Sequence, residues 1–304
     1  HFFYKKIMKK ISLKNKRVFV AGHNGLVGKA LCKRLELENS KILVVDKKNL
    51  DLRDNDKTNI WLKSNKPDYI FIAAARVGGI LENSSFPADF IYDNLSIVTN
   101  LVHLSYKNNV KKILYLGSSC IYPKYAKQPI KENALLTGEL EPTNEYYAIA
   151  KIAGMKLSKA YSLQYNCNFI STMPTNLYGP GDNFNIKSGH VVPGLINKIY
   201  NSVKRKKKDV MIWGTGKPKR EFLYVEDLTR IIVKLISKSK RKHFGAFLYS
   251  PLMVQIRCLG MVPDHSVLRP ISWIRLLHTP APGHRPSPCG QNSIPCQLLA
   301  VMIQ

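Results

Sequence analysis

The sequence predicts an α/β fold: a Rossmann-type, doubly wound parallel sheet with a smaller, incomplete C-terminal substrate-binding lobe. Three observations carry this expectation. Six short apolar runs recur along the chain, the segments between them place apolar residues at helical spacing, and the first run ends in a glycine pattern that opens a helix. Runs this uniformly apolar suit strands covered on both faces. Strand alternating with helix implies crossover connections and parallel pairing.

In chain order the expected strands are "RVFVAG" at Arg17, "KILVVD" at Lys41, "YIFIAAA" at Tyr69, "KILYLGSS" at Lys112, "CNFISTM" at Cys167 and "VMIWG" at Val210. Stretches such as "GLVGKALCKRLELEN" and "ADFIYDNLSIVTNLVHLSYKNN" are amphipathic and long enough to serve as the crossover helices. No internal repeat interrupts the alternation.

The totals bound the function. With 304 residues, 45% of them apolar, the chain suits one large domain or two modest ones. Forty-seven basic residues against 20 acidic give a formal charge of +27, which raises a polyanionic partner as a reading. The lysines are scattered, however, and only "VKRKKKD" (Val203 to Asp209) forms a dense run, with no nucleic-acid-binding signature beside it. A solvated lysine-rich surface is the expectation, with no nucleic acid and no membrane as partner. No apolar run reaches the roughly 18 residues of a membrane span, and "HFFYKKIMKK" holds too short an apolar stretch for a signal peptide. The six cysteines show no CxxC pairing, so no metal site is expected and a reducing cytoplasm is. The chain starts at His1, and Met8 reads as a sensible initiator.

Composition divides the chain. After Lys242 there is no lysine, Asp264 is the sole acidic residue, and eight of the 17 prolines and three of the six cysteines gather there. This stretch reads as disordered, as a foreign reading frame, or as a genuine proline-rich tail. The expected organisation is an N-terminal extension (1–16), a cofactor-binding Rossmann domain (17–175), a partial substrate lobe (176–240) whose elements interleave with it, and the atypical tail (241–304).

Chemistry is concentrated at three strand ends. The first strand runs into "AGHNGLVG", where Gly22, Gly25 and Gly28 would let backbone amides and a helix N-terminus approach a pyrophosphate. Asp46 closes the second strand and Lys47 and Lys48 follow. An acid there suits the ribose hydroxyls of NAD and the cations suit the 2′-phosphate of NADP, so the residues leave the cofactor open. In "EYYAIAK", Tyr147 and Lys151 lie four apart on one helix face, where an ammonium can lower the phenol pKa and ready it for proton transfer beside a hydride step. Tyr146 is out of register with Lys151. Ser118, in the "GSS" ending the fourth strand, is placed to hydrogen-bond the same substrate carbonyl.

Together with "AAARVGGI", "PADFIYDN", "LGSSCIYPK", "EPTNEYYAIAKIAG", "MPTNLYGPGDNF", "SGHVVPGLI" and "WGTGKPKREFLYVED", these motifs run in one order from about Arg17 to Ile236. The chain resembles the extended short-chain dehydrogenase/reductases of the NAD-dependent epimerase/dehydratase group, and within them the GDP-L-fucose synthase family. The resemblance implies two reactions on GDP-4-dehydro-6-deoxy-D-mannose. The first is 3,5-epimerisation, with Cys120 as base and His190 as acid. The second is 4-keto reduction through Tyr147, Lys151 and Ser118.

The resemblance also implies NADPH as cofactor, with NADH not excluded. Its expected contacts are Gly22, His23, Asn24, Gly25, Leu26, Val27 and Gly28 of the glycine loop, then Asp46, then Leu116, Gly117, Ser118 and Ser119 at the fourth strand's end. Lys151, His190 and the "PTNL" residues Pro174, Thr175, Asn176 and Leu177 complete them. Lys198, Trp213 and Arg220 match positions that hold the GDP-sugar, where cations suit its diphosphate. A cytoplasmic homodimer is implied, built on helices around Ala88 to Asn108 and Glu145 to Tyr165.

Two departures stand out: the acid at Asp46, and a tail without the family's C-terminal segment. The rivals are another nucleotide-sugar epimerase or a dehydratase, the latter expected to carry an Asp-Glu pair in place of "SCIYP", and a cofactor-binding remnant inactivated by its C-terminus.

Overall fold

A computed structural model describes residues 11–185, 189–207, 209–210, 219–237, 245–247 and 254–257, with 219, 245–247 and 254–257 as backbone only. The chain alternates strand and helix: β1 (Arg17–Ala21), α1 (Leu26–Glu36), β2 (Lys41–Leu43), α2 (Asn55–Asn65), β3 (Tyr69–Ile72), α3 (Ile80–Ser85), α4 (Pro87–Lys107), β4 (Lys112–Leu116), α5 (Glu145–Gln164) and β5 (Phe169–Met173). It continues through β6 (Asn176–Tyr178), α6 (Val191–Lys204), β7 (Lys219–Tyr224), α7 (Val225–Ile236), β8 (Gly245–Phe247) and β9 (Val254–Arg257).

Among the described residues six strands form one sheet in the order β2-β1-β3-β4-β5-β8, every neighbouring pair parallel. Side chains alternate across it as period-two geometry demands. Val18, Val20, Tyr69, Phe71, Leu114 and Leu116 meet Leu31 and Leu35 of α1 and Leu228, Ile232 and Ile236 of α7. Phe19, Ala21, Ile70, Ile72, Ile113 and Tyr115 meet Leu62 of α2 and Val98, Leu101 and Val102 of α4. Both faces are therefore covered, and the doubly wound expectation holds. The strand order reverses between β1 and β3, and such a switch point opens a crevice at the carboxyl ends of the strands.

Local chemistry sets the element ends. Asp54 caps α2 by accepting from the Lys57 N–H at 3.0 Å, and Lys66 ends that helix with φ 42°. Between α4 and α5 a glycine is required: a Cβ on Gly154 would stand 2.7 Å from the Tyr115 ring and 2.7 Å from Val98 Cγ2.

Three differences from expectation have physical reasons. The ladder of β2 ends at Leu43, and Asp46 lies past it in a turn whose carbonyl accepts from Asn49 at 2.9 Å and Leu50 at 3.0 Å. The segment "VMIWG" lies, after Val210, outside the described residues; the sixth described strand of the sheet is β8, within the compositionally distinct stretch. A second sheet, β6-β7-β9, forms where "TNLY" and "KREFLY" pair in parallel and β9 adds antiparallel. Short strands of mixed polarity leave little periodic signal. The helix α7, although within 176–240, packs on the main sheet, and the buried Lys112 ammonium donates to Leu235 O at its C-terminal turn at 3.0 Å.

Candidate active site

The glycine loop lies at the switch point. Gly22 has φ 89°, and a Cβ there would stand 2.6 Å from Ala74 N in the loop after β3. A Cβ on Gly28 would stand 2.0 Å from Gly22 O, so only glycine lets α1 close on the turn. Gly25 differs. A Cβ there would make only an ordinary 3.5 Å contact with Gly22 O, so this glycine answers to space in front of the loop rather than behind it. It is the N-cap of α1 and supplies no side-chain cap, which leaves first-turn amides for an outside acceptor. A cradle with two glycines forced by the fold and one facing open space fits the pyrophosphate of a dinucleotide.

Asp46 stands at the same rim. Asn24 donates its side-chain amide to Asp46 Oδ1 at 2.7 Å, and His23 Nε2 lies 3.5 Å from that oxygen. Lys47 and Lys48 are exposed beyond it.

The second group forms where β4 ends. Lys151 crosses from α5 to donate to Leu116 O at 2.8 Å, and is 3% exposed. Its ammonium lies 5.0 Å from the centre of the Tyr115 ring and 5.5 Å from that of Tyr147. Phe90 of α4 meets Tyr147 edge-on at 6.5 Å. After β4, Gly117 N donates to Thr172 O at 2.8 Å and Ser119 N to Pro174 O at 3.0 Å, which brings "GSSC" against "PTNL". Ser118 Oγ accepts from Cys120 N at 3.4 Å. Thr175 and Asn176 in turn donate to Glu221 O at 3.2 and 3.0 Å, tying this segment to the second sheet beside Arg220.

Electrostatics here are ruled by burial. It lowers the Lys151 ammonium to about 8 from 10.5, with the nearby Cys120 thiolate charge acting in the opposite direction. Burial also raises the Tyr147 phenol well above 10.0, helped by the charges of Cys120 and Tyr115. Burial, not Lys151, sets the direction of the Tyr147 shift here, and the phenol stays protonated at neutral pH. The Cys120 thiol is pushed up by burial too, more than the Ser118 hydrogen bond and the Lys151 charge pull it down.

The structure thus joins Leu116, Gly117, Ser118, Ser119, Cys120, Tyr147, Lys151 and Pro174. His190 is the exposed N-cap of α6, and no hydrogen bond or ion pair links it to that group among the described residues. Its charge reaches Asp182, whose carboxyl is raised by burial, lowered in part by the Asn183 backbone N–H and then by His190, and left with a buried Oδ2 that has no hydrogen-bond partner among the described residues. Lys198 lies half-buried on α6, its ammonium lowered by burial. Arg220 is exposed on β7, and Trp213 lies outside the described residues.

Sequence reasoning assigned nothing to Asp93. This buried carboxylate binds Arg53 at 2.6 Å and Arg76 at 3.1 Å, and Arg76 lies over the ring of Phe90 at 5.3 Å, behind Tyr147. Its signal was present only as "AAARVGGI" and "IYDN", motifs with no chemistry of their own.

Comparison with known proteins agrees with this geometry. The profile of the NAD dependent epimerase/dehydratase family matches residues 18–247. The chain is 53% identical over 233 residues to a GDP-L-fucose synthase of Sinorhizobium fredii, covering 77% of this chain and 73% of that protein. It is 48% identical over 217 residues to a GDP-L-fucose synthase of Escherichia coli, covering 71% and 68%. A solved GDP-L-fucose synthetase from Naegleria fowleri, bound to NADP, superposes with a TM-score of 0.71 at 33% identity, over 77% of this chain and 72% of that one.

Proposed function

The chain belongs to the NAD dependent epimerase/dehydratase family, among its GDP-L-fucose synthases, and from this we propose how its residues divide the work. The reaction converts GDP-4-dehydro-6-deoxy-D-mannose to GDP-L-fucose, by epimerisation at C3 and C5 and then reduction at C4. The cofactor is NADP(H), which when bound supplies the hydride.

In the first stage the 4-keto group acidifies the carbons on either side of it. Cys120 removes a proton from one face and His190 returns one to the other. Burial disfavours a free Cys120 thiolate, so the Ser118 hydrogen bond and the Lys151 charge, both of which stabilise it, matter to this step. In the second stage Tyr147 donates its proton to the carbonyl oxygen at C4, with Ser118 bonded to the same oxygen. Lys151 holds a positive charge beside the phenol while the negative charge forms. The observation that carries this reading is the Lys151 bond to Leu116 O at 2.8 Å, which places the ammonium by Tyr147 at the end of β4. Leu26, Val27 and the "PTNL" residues Thr175, Asn176 and Leu177 flank the dinucleotide, while Lys198 and Arg220 supply cations for the GDP diphosphate.

The assembly we propose is a homodimer through α4 and α5. The support is that these long helices leave Tyr92, Tyr146, Ile149 and Leu163 exposed. A cytoplasmic setting is supported by the free thiols of Cys32, Cys120 and Cys167 among the described residues. No described helix is long and apolar enough to cross a membrane.

The test is loss of NADPH absorbance on adding GDP-4-dehydro-6-deoxy-D-mannose to the full chain. Turnover that Tyr147→Phe lowers by about 10²–10⁴-fold is expected. Turnover that survives the substitution would contradict the role of Tyr147.

A further inference from the structure

We propose that Asp46 sets the cofactor scope of this chain, admitting NADH beside NADPH by accepting a hydrogen bond from the adenosine ribose 2′-hydroxyl. The inference rests on the reading that a dinucleotide lies on the Gly22–Gly28 loop, and deepens it.

The position is built rather than incidental. Asp46 follows β2 on the rim of the switch-point crevice, and its own carbonyl is fixed by the Asn49 and Leu50 amides. Its Oδ1 is held from the glycine loop by Asn24 at 2.7 Å, with His23 Nε2 at 3.5 Å. Both contacts fall on one oxygen. Oδ2 carries no hydrogen bond among the described residues, and the side chain is 44% exposed, so a second acceptor is open to a donor at this rim. A carboxylate held in this way receives a hydroxyl donor and opposes a phosphate in the same place.

The cations nearby do not reverse that. Lys47 and Lys48 are exposed, and the charge of Lys47 reaches Asp51, whose carboxyl it helps hold below the usual range behind the stronger action of Arg53. His23 is the basic side chain that the loop itself turns toward Asp46, and it already faces the carboxylate. A 2′-phosphate is therefore met first by a negative group at this rim. NADPH binds through the rest of the cradle, and NADH gains the ribose contact that NADPH forgoes.

The experiment is binding without substrate: titration of the purified full chain with NADPH and with NADH, read by nicotinamide fluorescence. The expected result is two dissociation constants within about tenfold of one another. Asp46→Asn removes the charge at constant shape and should move the ratio toward NADPH by about tenfold, and Asp46→Arg by more. Asp46→Ser serves if the Asn variant fails to fold.

A wild-type preference for NADPH beyond about tenfold overturns the inference and leaves the dinucleotide reading intact. A ratio that the Asp46 substitutions leave unmoved does the same. Binding of neither cofactor overturns the dinucleotide reading itself, and the inference with it.

Discussion

Lys151 is where stability and chemistry pull apart. The folded protein lowers its pKa from 10.5 to about 8, so between those values the unfolded chain binds more protons. The stability associated with this group is therefore fully present above 10.5 and is lost as pH falls through 8. At neutral pH the fold bears the cost of a buried ammonium, offset only in part by Leu116 O. Lys151→Met should raise stability at pH 7 by about 2 kcal/mol in chemical denaturation while abolishing reduction. The difference in stability between variant and wild type should narrow as pH rises past 8. In the wild type, the rate of ketone reduction should fall above pH 8 as the ammonium is lost, with Tyr147 still protonated. An alkaline limb that is unchanged in Lys151→Arg would contradict this. At this scale the sequence was only partly legible. Tyr147, Lys151 and Ser118 were read from spacing and motif and Cys120 from resemblance, but the direction of the phenol shift was not. Burial of the phenol depends on Tyr115, Phe90 and the β4 turn packing around it, which no spacing rule encodes.

At the scale of elements, the glycine loop separates folding from binding. Gly28→Ala would drive a Cβ to 2.0 Å from Gly22 O, so α1 must shift, at a cost of about 1–3 kcal/mol in a thermal or denaturant melt. Gly25→Ala meets only a 3.5 Å contact, so it should melt like the wild type yet bind nicotinamide cofactor measurably more weakly. Equal loss of stability in both variants would refute that division. The loop between β3 and α3 depends likewise on α4. Removing Asp93 leaves the Arg53 and Arg76 guanidiniums without their shared carboxylate, and Asp93→Ala should cost about 2–3 kcal/mol in the same melts. The main-sheet strands through β5 and their long helices were legible because double-sided burial writes itself as unbroken apolar runs. The strands β6 and β7 were not. "TNLY" and "KREFLY" mix charge and aromatic residues, and their pairing is a tertiary event.

Across the whole molecule, the parallel sheet places both halves of the site at its carboxyl edge: the cradle after β1 and the Ser118–Cys120 turn after β4. The "PTNL" segment then hands the chain from β5 to the second sheet through Glu221 O, so substrate-side residues are referenced to the same frame. The charge of +27 was legible from composition and says little about this arrangement, because the lysines are scattered along the chain. His190 and Arg220 were assigned by resemblance, and their placement depends on loops whose geometry no local pattern reports. The central claim is that one site first exchanges protons at C3 and C5 and then reduces C4, with separate residues for each stage. The direct measurement is mass analysis of the sugar nucleotide after reaction in heavy water with NADPH, for wild type, Cys120→Ser and Tyr147→Phe. The account predicts deuterium at C3 and C5 of the wild-type product, exchange without NADPH consumption in Tyr147→Phe, and no exchange in Cys120→Ser. Wild-type reduction at C4 without deuterium at C3 or C5, or full exchange in Cys120→Ser, would contradict it.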